Sequence, residues 1–169
     1  MQSQIAFFLS IAFSLIAWGI VAARYFWPEL RFRQRAEALR PLLIFHSFRF
    51  VGLAFLVRGV VSPDLPSSFA HAAAYGDLIA AILALMSLMS LPSAAGITIA
   101  WIFNVWGTAD LFNAFYQANH AGLMPGQLGA TYFIPTFIVP LLLITHGLGF
   151  RILLQHQPAP AMQESRHPA

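Results

Sequence analysis

Arg49 and Asp77 are opposite charges set inside apolar runs. Arg49 stands in LLIFHSFRFVGLAFLVRGVV and Asp77 in AHAAAYGDLIAAILALMSLMSL. A charge at the centre of a bilayer costs about 2.5–3.5 kcal/mol on insertion scales, so it persists where it is paired, hydrated or turned into a bundle interior. Arg49 is too deep to reach the headgroups easily and is expected as a buried ion-pair partner. Ala73, Ala74, Ala80, Ala81 and Ala84 fall on the same side of a helix as Asp77, and small residues let another backbone approach closely. Asp77 is therefore expected in a tight helix contact. There it serves as a proton- or cation-handling carboxylate, or as a structural one bonded to an arginine or a neighbouring helix.

Asp110 occupies a comparable depth in a second run, one turn below Asn113 on a shared helical face. Together these two suit an outward-facing vestibule. Asn104, in the middle of the same run, lies on a different face and is expected to bond across helices. His46 precedes Arg49 by three positions and shares its face, and His146 sits at matching depth in the last run. Two histidines on facing helices are what a bis-imidazole haem b site needs, and Arg49 is available to a propionate; the alternative is interhelical hydrogen bonding. Arg58 falls half a turn from Arg49 by helical phase and is expected to snorkel or to reach the outer carboxylates. Pro140 leaves the Thr136 carbonyl without its helical donor. Such freed carbonyls line cavities, or the proline is simply a kink.

The elements that must position these residues follow from composition. The chain of 169 residues is 59% hydrophobic and 9% charged, against about 25% charged in soluble domains. Its mean hydropathy is +0.70. Five runs near the ~20 residues that cross a bilayer are read at Ile5–Ala23, Leu42–Val61, Ala70–Leu91, Gly96–Tyr116 and Tyr132–Leu154. The fold class is thus all-α, an integral membrane bundle of five transmembrane helices over 1–157, with a disordered cytoplasmic tail over 158–169. Arg24, Arg31, Arg33, Arg35 and Arg40 cluster between the first two runs. The positive-inside rule places that segment in the cytoplasm, the N-terminus outside and the C-terminus inside. RFRQRAEAL is expected as a short helix on the membrane surface, its arginines meeting anionic headgroups.

Several chemistries are excluded. The chain has no Cys, so disulfides, thiolate catalysis and Fe–S clusters are out. It has no Lys, which removes Schiff-base and lysine-nucleophile chemistry. The basic pI near 10 reflects arginines beside spans and implies no nucleic-acid partner. No phosphate-binding loop, HExxH or GxSxG motif occurs, and no zinc-ligand spacing is present.

His46-Ser-Phe-Arg49-Phe-Val-Gly52, Gly76-Asp77-Leu78, Asn104 with Gly107 and Asp110-Leu111, and Ile134-Pro135-Thr136-Phe137 through Pro140 to His146 together resemble a group of small polytopic bacterial inner-membrane proteins. The resemblance implies an architecture and a bacterial inner-membrane location, and brings no activity with it. The residues themselves suggest a small-solute or proton-linked transport or binding protein with a buried Arg49–Asp77 pair. Asp110, Asn113 and Asn104 accompany that pair, with His46 and His146 on the inner side. The alternatives are a haem b redox protein and a non-catalytic subunit of a larger membrane complex. The lipid bilayer is the expected partner, together with a homo-oligomer or a larger assembly.

Overall fold

A computed structural model describes residues 2–155. Among these the chain is all-helical. The long helices are α1 (Gln2–Leu30), α2 (Arg35–Leu56), α3 (Ser67–Ser90), α4 (Ala94–His120) and α5 (Ile134–Leu154), with a 3-10 segment at Pro125–Tyr132. Helices α1, α2, α3 and α5 are long and apolar enough to cross a membrane. Helix α4, at 27 residues, is long enough, but Asn104, Thr108, Asp110 and Asn113 dilute its apolar character. The tail expected over 158–169 lies outside the described residues.

The largest departure from the sequence expectation is in α2. RFRQRAEAL does not form a separate surface helix. Arg35 begins α2 itself, and the helix runs on through Pro41. Ala, Glu, Leu and Arg are strong helix formers, and Ala38 and Leu39 are buried in the core, which draws this first turn into the bundle.

From Ser47 to Leu56 α2 tightens into a 3-10 helix of ten residues, well beyond the ~3–4 residues usual for this form. A 3-10 helix has about three residues per turn, so His46, Arg49, Gly52 and Phe55 fall on one line. All four are buried. In an α-helix, at about 3.6 residues per turn, Phe55 would lie half a turn away from His46. The helix stops at Leu56 and Val57 is extended. Arg58 is therefore exposed beyond the helix end and makes no ion pair with the carboxylates.

Helices α2 to α5 enclose the interior. Helix α3 packs along both α2 and α4, and α5 against α2 and α4. Helix α1 runs outside them along α5, with Ser14 the buried residue of its Gln2–Val21 portion. The turn from α3 to α4 is pinned twice. Ser93 Oγ accepts from the Gly96 N–H at 3.1 Å, and Ser87 Oγ donates to the Gly96 carbonyl at 2.9 Å. That turn sets the register of α3 against α4, and so holds Asp77 and Asp110 at one level.

One apolar cluster fills the Arg-rich end of the bundle, with Leu39, Leu43, Ala84, Phe103, Leu148 and Ile152 among its members. A second, built on Phe55, Phe69, Ala73, Leu128 and Ile134, lies at the opposite end. The polar residues occupy the level between them.

Candidate functional site

Arg49 is 2% exposed and reaches three helices from the 3-10 segment of α2. Its Nε donates to Asp77 Oδ1 on α3 at 2.7 Å. Its Nη2 donates to Asp110 Oδ2 on α4 at 2.9 Å. Its Nη1 lies 3.0 Å from His146 Nε2 on α5, with a longer contact of 3.4 Å to the Gly107 carbonyl. The fork of guanidinium donors suits this convergence, which a lysine ammonium could not reproduce.

The hydrogen bonds fix the histidine tautomers. Arginine has no acceptor, so His146 Nε2 accepts and its Nδ1 carries the proton. Nδ1 then donates to Asn104 Oδ1 at 2.9 Å, and Asn104 Nδ2 donates to the His146 carbonyl at 3.2 Å. Asn104 thus clamps His146 at ring and backbone. Thr145 Oγ1 donates to the carbonyls of Leu141 and Leu142 at 2.8 and 3.0 Å, so it accepts from His46 Nε2 at 2.9 Å. His46 Nδ1 is left as a buried nitrogen with no partner among the described residues.

Four glycines make room for these side chains. A Cβ on Gly52 would collide with the Asp77 carboxylate, and one on Gly76 with that of Asp110. A Cβ on Gly107 would stand 2.5 Å from His146 Cε1 and 2.7 Å from Arg49 Nη1, and one on Gly149 2.6 Å from Asn104 Oδ1. Each polar group is seated in a gap on the helix it faces, so the close helix approach and the polar cluster are one feature.

A cavity of about 280 Å³ opens beside the carboxylates, at the end of the bundle opposite Arg31, Arg33, Arg35 and Arg40. Its walls come from all five long helices and include Phe7, Phe55, Phe69, Phe115 and Ile134. Asp77 and Asp110 line it; Arg49 does not. On the other side of the cluster the apolar packing is tight, with a void of only about 10 Å³ beside His46. The polar site is accordingly open on one side and closed on the other.

The expected residues are distributed unevenly over this arrangement. Arg49, Asp77, Asp110, His146 and Asn104 form one connected network, and His46 joins it through ring contact with His146. Asn113 does not join. It is exposed on the outside of α4, while Ala114 and Asn119 line the cavity instead. The haem reading does not fit. The His46 and His146 rings touch, with centroids 4.4 Å apart, and Phe103 packs on both at 4.9 and 5.1 Å. Both Nε2 atoms are already hydrogen-bonded, to Thr145 and Arg49. A porphyrin has no space between these rings. Among the described residues no group of three or more His, Cys, Asp or Glu forms a metal site.

Sequence reasoning missed Thr145, the four glycine seats and the union of both carboxylates on one arginine. The glycines carried a signal, since Gly52 follows Arg49 by one 3-10 turn and Gly107 precedes Asp110 by three positions.

No curated protein and no solved structure matches this chain. A family model described as a domain of unknown function, DUF8737, matches residues 6–154, and the chain belongs to that family.

Proposed function

We propose that the protein crosses a bacterial cytoplasmic membrane five times, N-terminus outside, and binds or transports a small solute in exchange with a proton at the Arg49–Asp77–Asp110 cluster. The observation that carries this reading is that one guanidinium is shared by two carboxylates, 2.7 and 2.9 Å away. One formal positive charge faces two negative ones in a setting where unbalanced charge is costly. A second positive charge, a proton or a cation, balances the cluster. Because the cavity touches the carboxylates and not Arg49, it gives that charge a way in and out.

Three further observations support the reading. Arg24, Arg31, Arg33 and Arg40 gather at one end of the bundle, as a cytoplasmic face requires, and the cavity lies at the other. Arg151 stacks over Trp27 at 3.8 Å, an interfacial pairing. Apolar packing closes the arginine-rich side and leaves the opposite side open, which supports access from outside.

The test is reconstitution into vesicles that enclose a pH-sensitive dye, followed by challenge with a panel of small amines, carboxylic acids and sugars under an imposed potential. Wild-type vesicles are expected to show a solute-dependent pH change that Asp77→Asn and Asp110→Asn vesicles lack. A response identical in all three would sink the reading.

A further inference from the structure

The walls of the cavity specify its ligand more narrowly than "small solute". We infer that it binds a small lipophilic organic cation, an aryl-alkyl ammonium in size and charge. The inference rests on the reading of the cluster as a binding site and adds the chemical class.

Two features set the ligand class, one its charge and the other its apolar body. The first is which charges the cavity sees. Asp77 and Asp110 are in its lining and no Arg or Lys is. Each carboxylate gives one oxygen to Arg49. Asp77 Oδ2 and Asp110 Oδ1 have no hydrogen bond among the described residues, and both residues are more than nine-tenths buried. An ammonium supplies N–H donors to such oxygens and completes the charge balance. An anion entering the same space meets two carboxylates and no basic side chain in the wall, since Arg49 lies behind them.

The second feature is the aromatic wall. Phe7 and Phe8 of α1, Phe55 of α2, Phe69 of α3 and Phe115 of α4 all border the space. The negative faces of aromatic rings attract cations, more strongly when the cation is desolvated. The same rings accept an apolar body. The remaining wall is aliphatic apart from Asn119, so a sugar or a peptide would leave its polar groups unpaired.

Volume sets the size. At about 280 Å³ the space is nearly twice the ~150 Å³ cavity known to hold benzene. One aromatic ring with a short alkyl ammonium arm fills it, with the ring among the phenylalanines and the nitrogen at the carboxylates.

Three probes share a phenyl body and differ in charge: 2-phenylethylammonium, 2-phenylethanol and phenylacetate. Binding of each is measured by calorimetry on the full-length protein in lipid nanodiscs, with empty nanodiscs subtracted. The ammonium is expected to bind at least about tenfold tighter than the other two, the scale of one charge-assisted contact. Asp77→Asn and Asp110→Asn should erase that preference. Ala118→Phe narrows the cavity two helical turns from Asp110 and should abolish ammonium binding, so the test stands even where an aspartate variant does not fold. Equal binding of the alcohol, tighter binding of the carboxylate, or no binding of the ammonium overturns the ligand class. The vesicle assay keeps the two readings apart. An Asp-dependent pH response to some other solute, without the ammonium preference, retains the site and removes only this ligand class.

Discussion

The carboxylate of Asp110 on α4 occupies the space that a Cβ on Gly76 of α3 would need. Gly76 is therefore a seat for the Asp110 side chain as well as a point of helix contact. Gly76→Ala should push Asp110 off Arg49 Nη2 and destabilise the protein by about 1–3 kcal/mol, the usual range for overpacking. Gly147 provides the control, because a Cβ there meets nothing within 4 Å. Gly147→Ala should be neutral or stabilising, as Ala is the better helix former. Thermal unfolding in detergent separates the two. If both variants melt together, the Gly76 seat has no energetic weight.

Arg49 holds three helices through one side chain, so removing it leaves two carboxylates facing each other. Breaking a buried pair from one side typically costs about 3–5 kcal/mol, while removing all partners together costs far less. Arg49→Ala is expected to be the least stable of a set. Arg49→Ala combined with Asp77→Asn and Asp110→Asn should recover most of the loss. Arg49→Lys should fall between, since a single ammonium cannot serve Asp77, Asp110 and His146 at once. A triple variant no more stable than Arg49→Ala would show that the network is not held by charge pairing.

The tautomer of His146 is open to direct measurement. Because Arg49 donates to Nε2 and Asn104 Oδ1 accepts from Nδ1, imidazole ¹⁵N shifts should report the Nδ1–H form for His146. The Thr145 geometry assigns the Nε2–H form to His46. Asn104→Leu removes the acceptor and should broaden or shift the His146 signals while costing about 1–3 kcal/mol for the unsatisfied N–H. The packed rings also imply that added haemin gives no Soret band dependent on His46 or His146. A band lost in either His→Ala variant would contradict the ring packing.

Much of the site was legible in the sequence, and what was missed has physical causes. Arg49 and Asp77 announced themselves as charges in apolar runs. Asp110 was placed at the right depth but assigned to a vestibule, because depth along a helix says nothing about which helix stands opposite. Phase along α4 put Asn113 with Asp110, yet a residue three positions on is turned by about 60°, enough to carry Asn113 to the outer surface. The 3-10 segment was the deepest omission. A period of three over His46, Arg49, Gly52 and Phe55 is present in the sequence, but apolar runs are read by default with the α-helical period. The haem expectation failed for a related reason: matched depth on facing helices describes ligands and stacked rings equally well.

Whether α4 crosses the bilayer decides the topology. Its polar residues lower its hydropathy, but Asn104 and Asp110 point inward to His146 and Arg49. The surface α4 turns outward carries Ile102, Val105 and Phe112, an apolar face suited to lipid. A helix whose deepest polar residues face inside the bundle, with Asn113 left on its outer surface, can span a membrane at a lower mean hydropathy than its neighbours. The chain has no cysteine, so single-cysteine variants give an unambiguous readout with a membrane-impermeant maleimide on intact cells. Ser67→Cys and Gly126→Cys, at one end of the bundle, should label from outside. Arg33→Cys and Ala95→Cys, at the other, should label only after permeabilisation. Ala95, in the first turn of α4, and Gly126, beyond its last, mark its two ends, so labelling of both from the same side would mean that α4 does not cross. The five-span reading would then fail, along with the one-sided access it gives to Asp110.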